Sequence, residues 1–348
     1  MSVAAQAPPV DERISKPGLL DRLVVRPEIG SLLGAVLVFV FFSVVTEQFL
    51  SPGGVATWLD DASMLGIMAV AVALLMIGGE FDLSAGVMTA STALVTAILS
   101  TELGWNVWPA LFVSLLFALG VGALNGWLVM RTGLPSFIVT LGTFLALQGL
   151  NLGITRVITG SVQVSGVREA AGYESAGFLF ASTFTVAGAS FYVSIIWWVL
   201  FTAVASTVLV RTRFGNWIFA VGGAAISSRA VGVPVRRTKI RLFMTTAFAA
   251  WLVGTISILR YTSVQANQGI GAEFEFIIAA VIGGCLLTGG FGSAIGAAIG
   301  ALIFGMARQG IVYAQWNSDW FQLFLGVMLL SAVLVNNALR RRAERVRR

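Results

Sequence analysis

Residues 77–86 read Ile-Gly-Gly-Glu-Phe-Asp-Leu-Ser-Ala-Gly, setting Glu80 and Asp82 among three glycines between stretches that carry no charge. On one side lies Ala62–Gly79, on the other Leu83–Thr101. Each is close to the roughly 18 apolar residues that a helix needs to cross a bilayer. An ionisable group at membrane depth costs about 2.5–3.5 kcal/mol or more, so it faces protein, a water-filled path or the membrane edge. The apolar run Ala62–Thr101 is about twice the length of one span. The charged, glycine-rich decade is therefore where it divides in two.

The same pattern extends along the chain of 348 residues, which is 57% apolar and 11% charged; soluble domains carry roughly 25% charged residues. Further uncharged runs cover Ile29–Val45, Leu103–Met130, Thr132–Thr155, Ser175–Val210, Leu242–Leu259, Phe276–Ala307 and Trp320–Leu339. They are apolar all round, whereas barrel strands alternate over about 10 positions. Phe276–Tyr313 also exceeds one span and divides at Gly289-Gly290-Phe291-Gly292. The expected fold class is an all-α polytopic membrane protein. Its ten transmembrane helices fall near residues 29–46, 58–78, 83–101, 108–130, 135–155, 190–210, 238–259, 273–289, 294–313 and 319–338.

Ten spans leave both termini on one side, and the basic residues say which. Of the 22 Lys and Arg, all but Arg156, Arg168, Arg260 and Arg308 gather on the side of the termini. The excess of Lys and Arg marks the cytoplasm. Residues 1–28 then form a cytoplasmic tail without signal-peptide features. Residues 29–338 are the transmembrane domain, 211–241 a large cytoplasmic loop, and 339–348 a basic cytoplasmic tail. The net charge of +6 reflects orientation and anionic headgroups; without interleaved aromatics it does not indicate nucleic acid.

Composition removes several kinds of chemistry. There is no histidine, so imidazole base catalysis and the commonest metal ligand are missing. The single cysteine, Cys285, allows no internal disulfide and reads as a packing residue. No GxxxxGK[ST] sequence occurs, so a P-loop cradle for ATP is absent.

Polar residues within the apolar layer are the candidate functional groups. Asp82 and Ser84 precede the third span, where side-chain oxygens can cap a helix N-terminus; Glu80 has no such account. Glu273 and Glu275 fall at the outer start of the eighth span as a solvated edge, with Arg308 one helix away as a partner. Asn125, Gln148, Asn151 and Gln309 are candidates for hydrogen bonding to a solute in transit, although interhelical bonding is the commoner use. Trp197, Trp198, Trp251, Trp316 and Trp320 read as interface anchors.

Two further segments stand out. In the basic loop, Asn216–Gly232 contains Gly222-Gly223 and suits two short helices packed against another surface. Gly283–Gly300, GGCLLTGGFGSAIGAAIG, suits close helix packing or a broken helix beside protein or water. Like Gly78–Gly86 it has paired glycines, an aromatic residue and then Ser, a faint sign of an internal repeat.

Four segments together resemble the membrane-spanning permease of the ribose/xylose-type ABC importers, bacterial sugar uptake systems. GGEFDLSAG at Gly78–Gly86 is similar to the family's Gly-Gly-x-x-Asp-Leu-Ser-x-Gly signature, through Gly78, Gly79, Asp82, Ser84 and Gly86. The others are NGWLVMRTGLPSFIVTLGT at Asn125–Thr143, TRFGNWIFAVGG at Thr212–Gly223 followed by AVGVPVRRTKI, and EFEFIIAAVIGGCLLTGGFGSAIGA at Glu273–Ala297. The resemblance covers about Ala62 to Asn336. It implies a homodimer of ten-helix subunits in the inner membrane, served by a cytoplasmic ATP-binding subunit and a periplasmic solute-binding protein. ATP and Mg would sit on that partner and no cofactor on this chain. The loop with Arg213, Phe214, Gly215, Gly222, Gly223, Arg229 and Gly232 would be the segment that docks on the ATPase. Here the sequence departs from the family, with Ala224-Ala225-Ile226-Ser227-Ser228 where an Asn and an acidic residue are usual. The rival readings are a secondary transporter coupled through Glu80 or Asp82, and a membrane enzyme using the same carboxylates as acid and base.

Overall fold

A computed structural model describes residues 27–346 of the chain, and its side chains from Glu28 to Leu334. In chain order the helices and strands are α1 (Pro27–Val45), α2 (Pro52–Ile77), α3 (Ala85–Thr101), α4 (Val107–Thr132), α5 (Ser136–Thr159), β1 (Gln163–Ser165), α6 (Tyr173–Phe180), β2 (Thr183–Val186), β3 (Ala189–Tyr192), α7 (Ser194–Arg211), α8 (Arg213–Ala230), α9 (Val235–Tyr261), β4 (Ser263–Gln265), α10 (Ala272–Ile282), α11 (Ala294–Tyr313) and α12 (Trp320–Val346). Among the described residues, seven helices, α1, α2, α4, α5, α7, α9 and α11, are long and apolar enough to cross a membrane. β1 pairs antiparallel with β4, and β2 with β3 in a hairpin.

Each of the ten expected spans contains a helix, and the departures have local causes. The third starts at Ala85, later than 83, because Asp82 folds back onto the amide of Ser84. The eighth is a helix of 11 residues that stops at Ile282, where Gly283-Gly284 turns the chain, well short of 289. At 1.5 Å per residue it spans about 16 Å, half a bilayer core. The basic loop expected over 211–241 is mostly helical, as α8 and the start of α9. α12 runs on to Val346, past the expected boundary at 338. The expected N-terminal tail lies outside the described residues except for Pro27 and Glu28, which open α1.

Helix starts follow their caps. Ser51 accepts from the Gly54 amide ahead of Pro52, Asn106 from Trp108, Thr212 from Gly215 and Ser293 from Gly296. Each side chain satisfies one of the amides left free at a helix N-terminus.

The core is the pair α2 and α9, which run antiparallel. Asp60, near the start of α2, binds Arg260 at the end of α9 through two hydrogen bonds of 2.9 and 2.6 Å. Just beyond the other end of α2, Glu80 pairs with Lys239 near the start of α9. The first pair is held further by Ser194 on Asp60 and by Tyr192, whose ring lies 3.5 Å from the Arg260 guanidinium. Both ends of the core are thus closed by an ion pair. We call them the hairpin end, beside β2–β3, and the α8 end.

Around this pair the fold repeats itself upside down. α2 packs on α11 as α9 packs on α4, and α9 packs on α3 as α2 packs on α10. The close approaches match: a Cβ at Gly305 of α11 would meet the Trp58 carbonyl and Ala62, and one at Gly122 of α4 would meet the Phe243 carbonyl and Ala247. The repeat therefore relates α2–α5 to α9–α12 with inverted direction, an arrangement that places solute sites near the middle of the layer. Gly78–Gly86 and Gly283–Gly300, which look alike in sequence, are not its equivalent members; both turns lie at the α8 end.

α3 and α10 are the short members, and their N-termini meet inside the bundle. A Cβ on Gly86 would fall on the Gly269 carbonyl and on Glu273. Along α9, used as a ruler, Thr246 meets Asp82 and Gly254 meets Thr89 and Thr92. Gly86 and Glu273 thus lie level with the middle of α9. Glu273 is buried, with Oε2 accepting from the Gly271 amide at 3.0 Å, and not the solvated edge its sequence position suggests.

Candidate functional site

The ends of α2 and α10 are built alike, and the site grows from them. Both close on Ile-Gly-Gly. Gly78 N–H donates to Leu74 and Gly283 N–H to Ala279; Gly79 donates to Met76 and Gly284 to Val281; Glu80 donates to Leu75 and Cys285 to Ala280. The second glycine of each pair has positive φ, +79° at Gly79 and +92° at Gly284. This is the helix stop that glycine favours because no Cβ opposes the left-handed turn.

A third glycine pair comes from α8, which is two short helical pieces meeting at non-helical Ala224. Gly222 lies on the main chain at the end of α2, so that a Cβ there would fall on the Ile77 carbonyl. Gly289 and Gly290, from the turn between α10 and α11, close the other side. A Cβ on Gly289 would lie 2.8 Å from the Gly79 Cα, and one on Gly290 2.8 Å from the Gly223 Cα. The Gly290 amide donates to the Ile77 carbonyl at 2.8 Å. Three segments far apart in sequence thus touch main chain to main chain, through Gly78-Gly79, Gly222-Gly223 and Gly289-Gly290.

The connector that follows, residues 80–84, is fastened residue by residue to surrounding helices. Glu80 binds Lys239 of α9, with only 9% of the carboxylate side chain and 13% of the lysine exposed. Phe81 N–H donates to Ser136 and Leu83 N–H to Thr140, both of α5. Asp82 is buried; its Oδ1 accepts from the Ser84 amide at 2.9 Å and the Ser84 hydroxyl at 2.6 Å, and its Oδ2 from Thr246 of α9. Asn125 of α4 donates to the Ser84 hydroxyl and accepts from Thr143 of α5. The chain reaction of bonds satisfies every group it buries, which such a carboxylate requires. Ser84 is the residue at the cap of α3 and makes no side-chain cap bond; Asp82, two residues earlier, accepts from the Ser84 amide and hydroxyl and from no amide of α3 itself, so the expected capping by these two side chains takes the form of a turn ahead of the helix.

Asp82→Ala would remove the acceptor of the Ser84 amide and hydroxyl, while Thr246 keeps its bond to the Phe243 carbonyl. We expect a loss of about 2–3 kcal/mol, the scale for a charged hydrogen-bond acceptor removed from a buried site. Unfolding in detergent measures it, with Asp82→Asn losing clearly less; equal stability of Asp82→Ala and wild type would refute the role.

The remaining sequence candidates scatter. Asn125 is fully buried within the Asp82 network. Asn151 is buried on α5 with its Nδ2 unpartnered, and Gln148 lies nearby, half-buried. Gln309 of α11 donates to Asp61 of α2 at 2.5 Å. The structure does not bring these four together. In α8, Thr212 caps Arg213-Phe214-Gly215, Gly215 is packed against the Val208 and Leu209 carbonyls, and Phe214 lies 5.9 Å under Arg241. Gly232 turns the chain at φ +87° after Arg229. Arg308 does pair with Glu275, at 2.7 Å. Lys239, Thr246 and Gly289-Gly290 carry no sequence feature that marks them as members of one site. Only the recurrence of Gly-Gly in three segments hinted at the last.

The family described as branched-chain amino acid transport system / permease component matches residues 54–333. The chain is 30% identical to the xylose transport system permease protein XylH of Escherichia coli K12, covering 88% of this chain and 91% of that protein. It is 31% identical to the ribose import permease protein RbsC of the same organism, covering 88% and 92%, and 32% identical to its probable ABC transporter permease protein YphD, covering 92% of each. No solved structure matches it.

Proposed function

The chain belongs to the branched-chain amino acid transport system / permease component family and is a transport permease, and from that premise we propose that its cargo is a small sugar. Relatives named for xylose and ribose match over most of its length, in line with the four segments that resemble sugar importers. In this reading the chain crosses the bacterial inner membrane ten times with both termini in the cytoplasm. Two copies form the path, a periplasmic binding protein delivers the solute, and a cytoplasmic subunit holding ATP and Mg drives it.

The observation that carries the reading is the glycine junction. α8 lies at the end where Lys and Arg are concentrated, and it presents exposed apolar residues, Ile226 at 89% and Val231 at 81%. Its opposite side lies main chain to main chain on the turns that follow α2 and α10. A partner pushing on the exposed side therefore displaces the connectors that join α2 to α3 and α10 to α11. In that role α8 is the coupling segment, and Arg213 and Arg229 supply its positive charge. Glu80 and Asp82, the carboxylates a proton-coupled transporter would need, are both occupied by fixed partners.

Ile226→Glu tests the docking without touching the junction. Co-purification of an ATPase with the chain should be lost while the amount of folded chain is unchanged. Full retention of the partner would remove α8 as its docking surface, and ATP hydrolysis by the chain alone would refute the division of labour.

A further inference from the structure

Among the described residues, one ion pair is unlike the other two. Arg308 of α11 donates through Nη2 to both oxygens of Glu275 of α10, at 2.7 and 2.8 Å. Its side chain is 39% exposed and that of Glu275 27%, whereas Asp60–Arg260 and Glu80–Lys239 are nearly closed. Glu275 is the fourth residue of a helix that starts level with the middle of α9, and Arg308 neighbours Gln309, which binds Asp61 of α2. The pair thus sits within the layer near its middle, with Arg308 reaching in from the hairpin side, on the open surface of a single chain. Charge facing hydrocarbon there would cost several kcal/mol, so such groups face a water-filled cavity or protein.

The chemistry around the pair fits a ligand. Nη1 and Nε of Arg308 have no protein acceptor among the described residues, and the carboxylate keeps lone pairs to spare. The guanidinium lies 4.9 Å above the Phe321 ring, which Phe304 holds edge-on. Planar donors and a carboxylate acceptor are the groups that bind paired hydroxyls of a neutral polyhydroxyl solute, and the Phe321 ring beneath the guanidinium holds those donors in place.

We propose that Glu275, Arg308 and Phe321 form a solute-contacting station in the wall of the translocation path, taking a neutral polyhydroxylated molecule. The ligand class rests on the proposed sugar cargo; the exposure to water does not.

The chain's only cysteine, Cys285, is buried, so a single introduced thiol reports alone. In right-side-out vesicles holding the full chain, Glu275→Cys and Phe321→Cys should react with a membrane-impermeant thiosulfonate about tenfold or more faster than Leu116→Cys, exposed on α4. Phe321→Cys leaves the ion pair intact and covers the case in which Glu275→Cys does not fold. Reaction of both no faster than Leu116→Cys would overturn the placement. With the importer assembled from all its subunits, uptake of labelled D-xylose and D-ribose supplies the second arm. Arg308→Lys and Glu275→Gln should slow whichever is carried by at least about fivefold with the ATPase still bound. Wild-type rates in both variants would overturn the solute contact. If the wild type carries neither pentose, a xylose or ribose cargo is excluded at that point, while the labelling still decides whether the station faces water.

Discussion

Glu80→Ala is expected to destabilise the protein by about 3–5 kcal/mol, because it strands the Lys239 ammonium in a site shut off from solvent. Lys239→Ala should do the same from the other side, leaving the carboxylate unpaired. The double change Glu80→Gln with Lys239→Met removes both charges and should recover most of the loss, since the cost arises from the unpaired ion more than from the missing attraction. Unfolding curves of the four proteins in one detergent give the comparison. A double variant as damaged as either single would mean that the residues act separately and that the pair does not form.

Gly222→Ala should abolish uptake by the assembled importer, and Gly223→Ala should leave it near wild type. The two positions are adjacent and chemically identical, and both lie in the coupling segment. They differ in what a methyl group would meet. At Gly222 it falls on the Ile77 carbonyl and close to the Gly290 amide; at Gly223 nothing lies within 4 Å. Overpacking against side chains costs about 1–3 kcal/mol, and here the obstacle is backbone, which cannot rotate aside. The expected signature is ATP hydrolysis that persists without solute movement. Equal uptake by the two variants would show that α8 does not bear on the α2 turn.

Much of this architecture is legible in the sequence because hydrocarbon imposes a simple rule on composition. Runs such as Val107–Thr132 and Val235–Tyr261 must be apolar and long, so their positions emerge within a few residues. The pairing of Arg308 with Glu275 is legible for the same reason, charge within the layer seeking charge. The half-length helix α10 is harder to read. α10 and the turn after it form one apolar run, and nothing in its hydropathy shows that the helix stops at Ile282. Glycines that end a helix and glycines that let helices touch look identical as letters. Glu80 illustrates the other difficulty: its partner Lys239 is distant in sequence and sits among basic residues whose evident task is orientation. Tertiary placement alone singles it out.

The two closed ion pairs at opposite ends of α2 and α9 have a mechanical consequence. Two rods fastened at one point can scissor, and two rods in parallel contact can slide. Fastened at both ends, by Asp60–Arg260 and Glu80–Lys239, they can do neither. The central pair is therefore a strut that turns as a single body. Any rearrangement driven from α8 has to be taken up by the pieces hung on that strut, above all the shorter helices α3 and α10, whose N-termini meet at its midpoint.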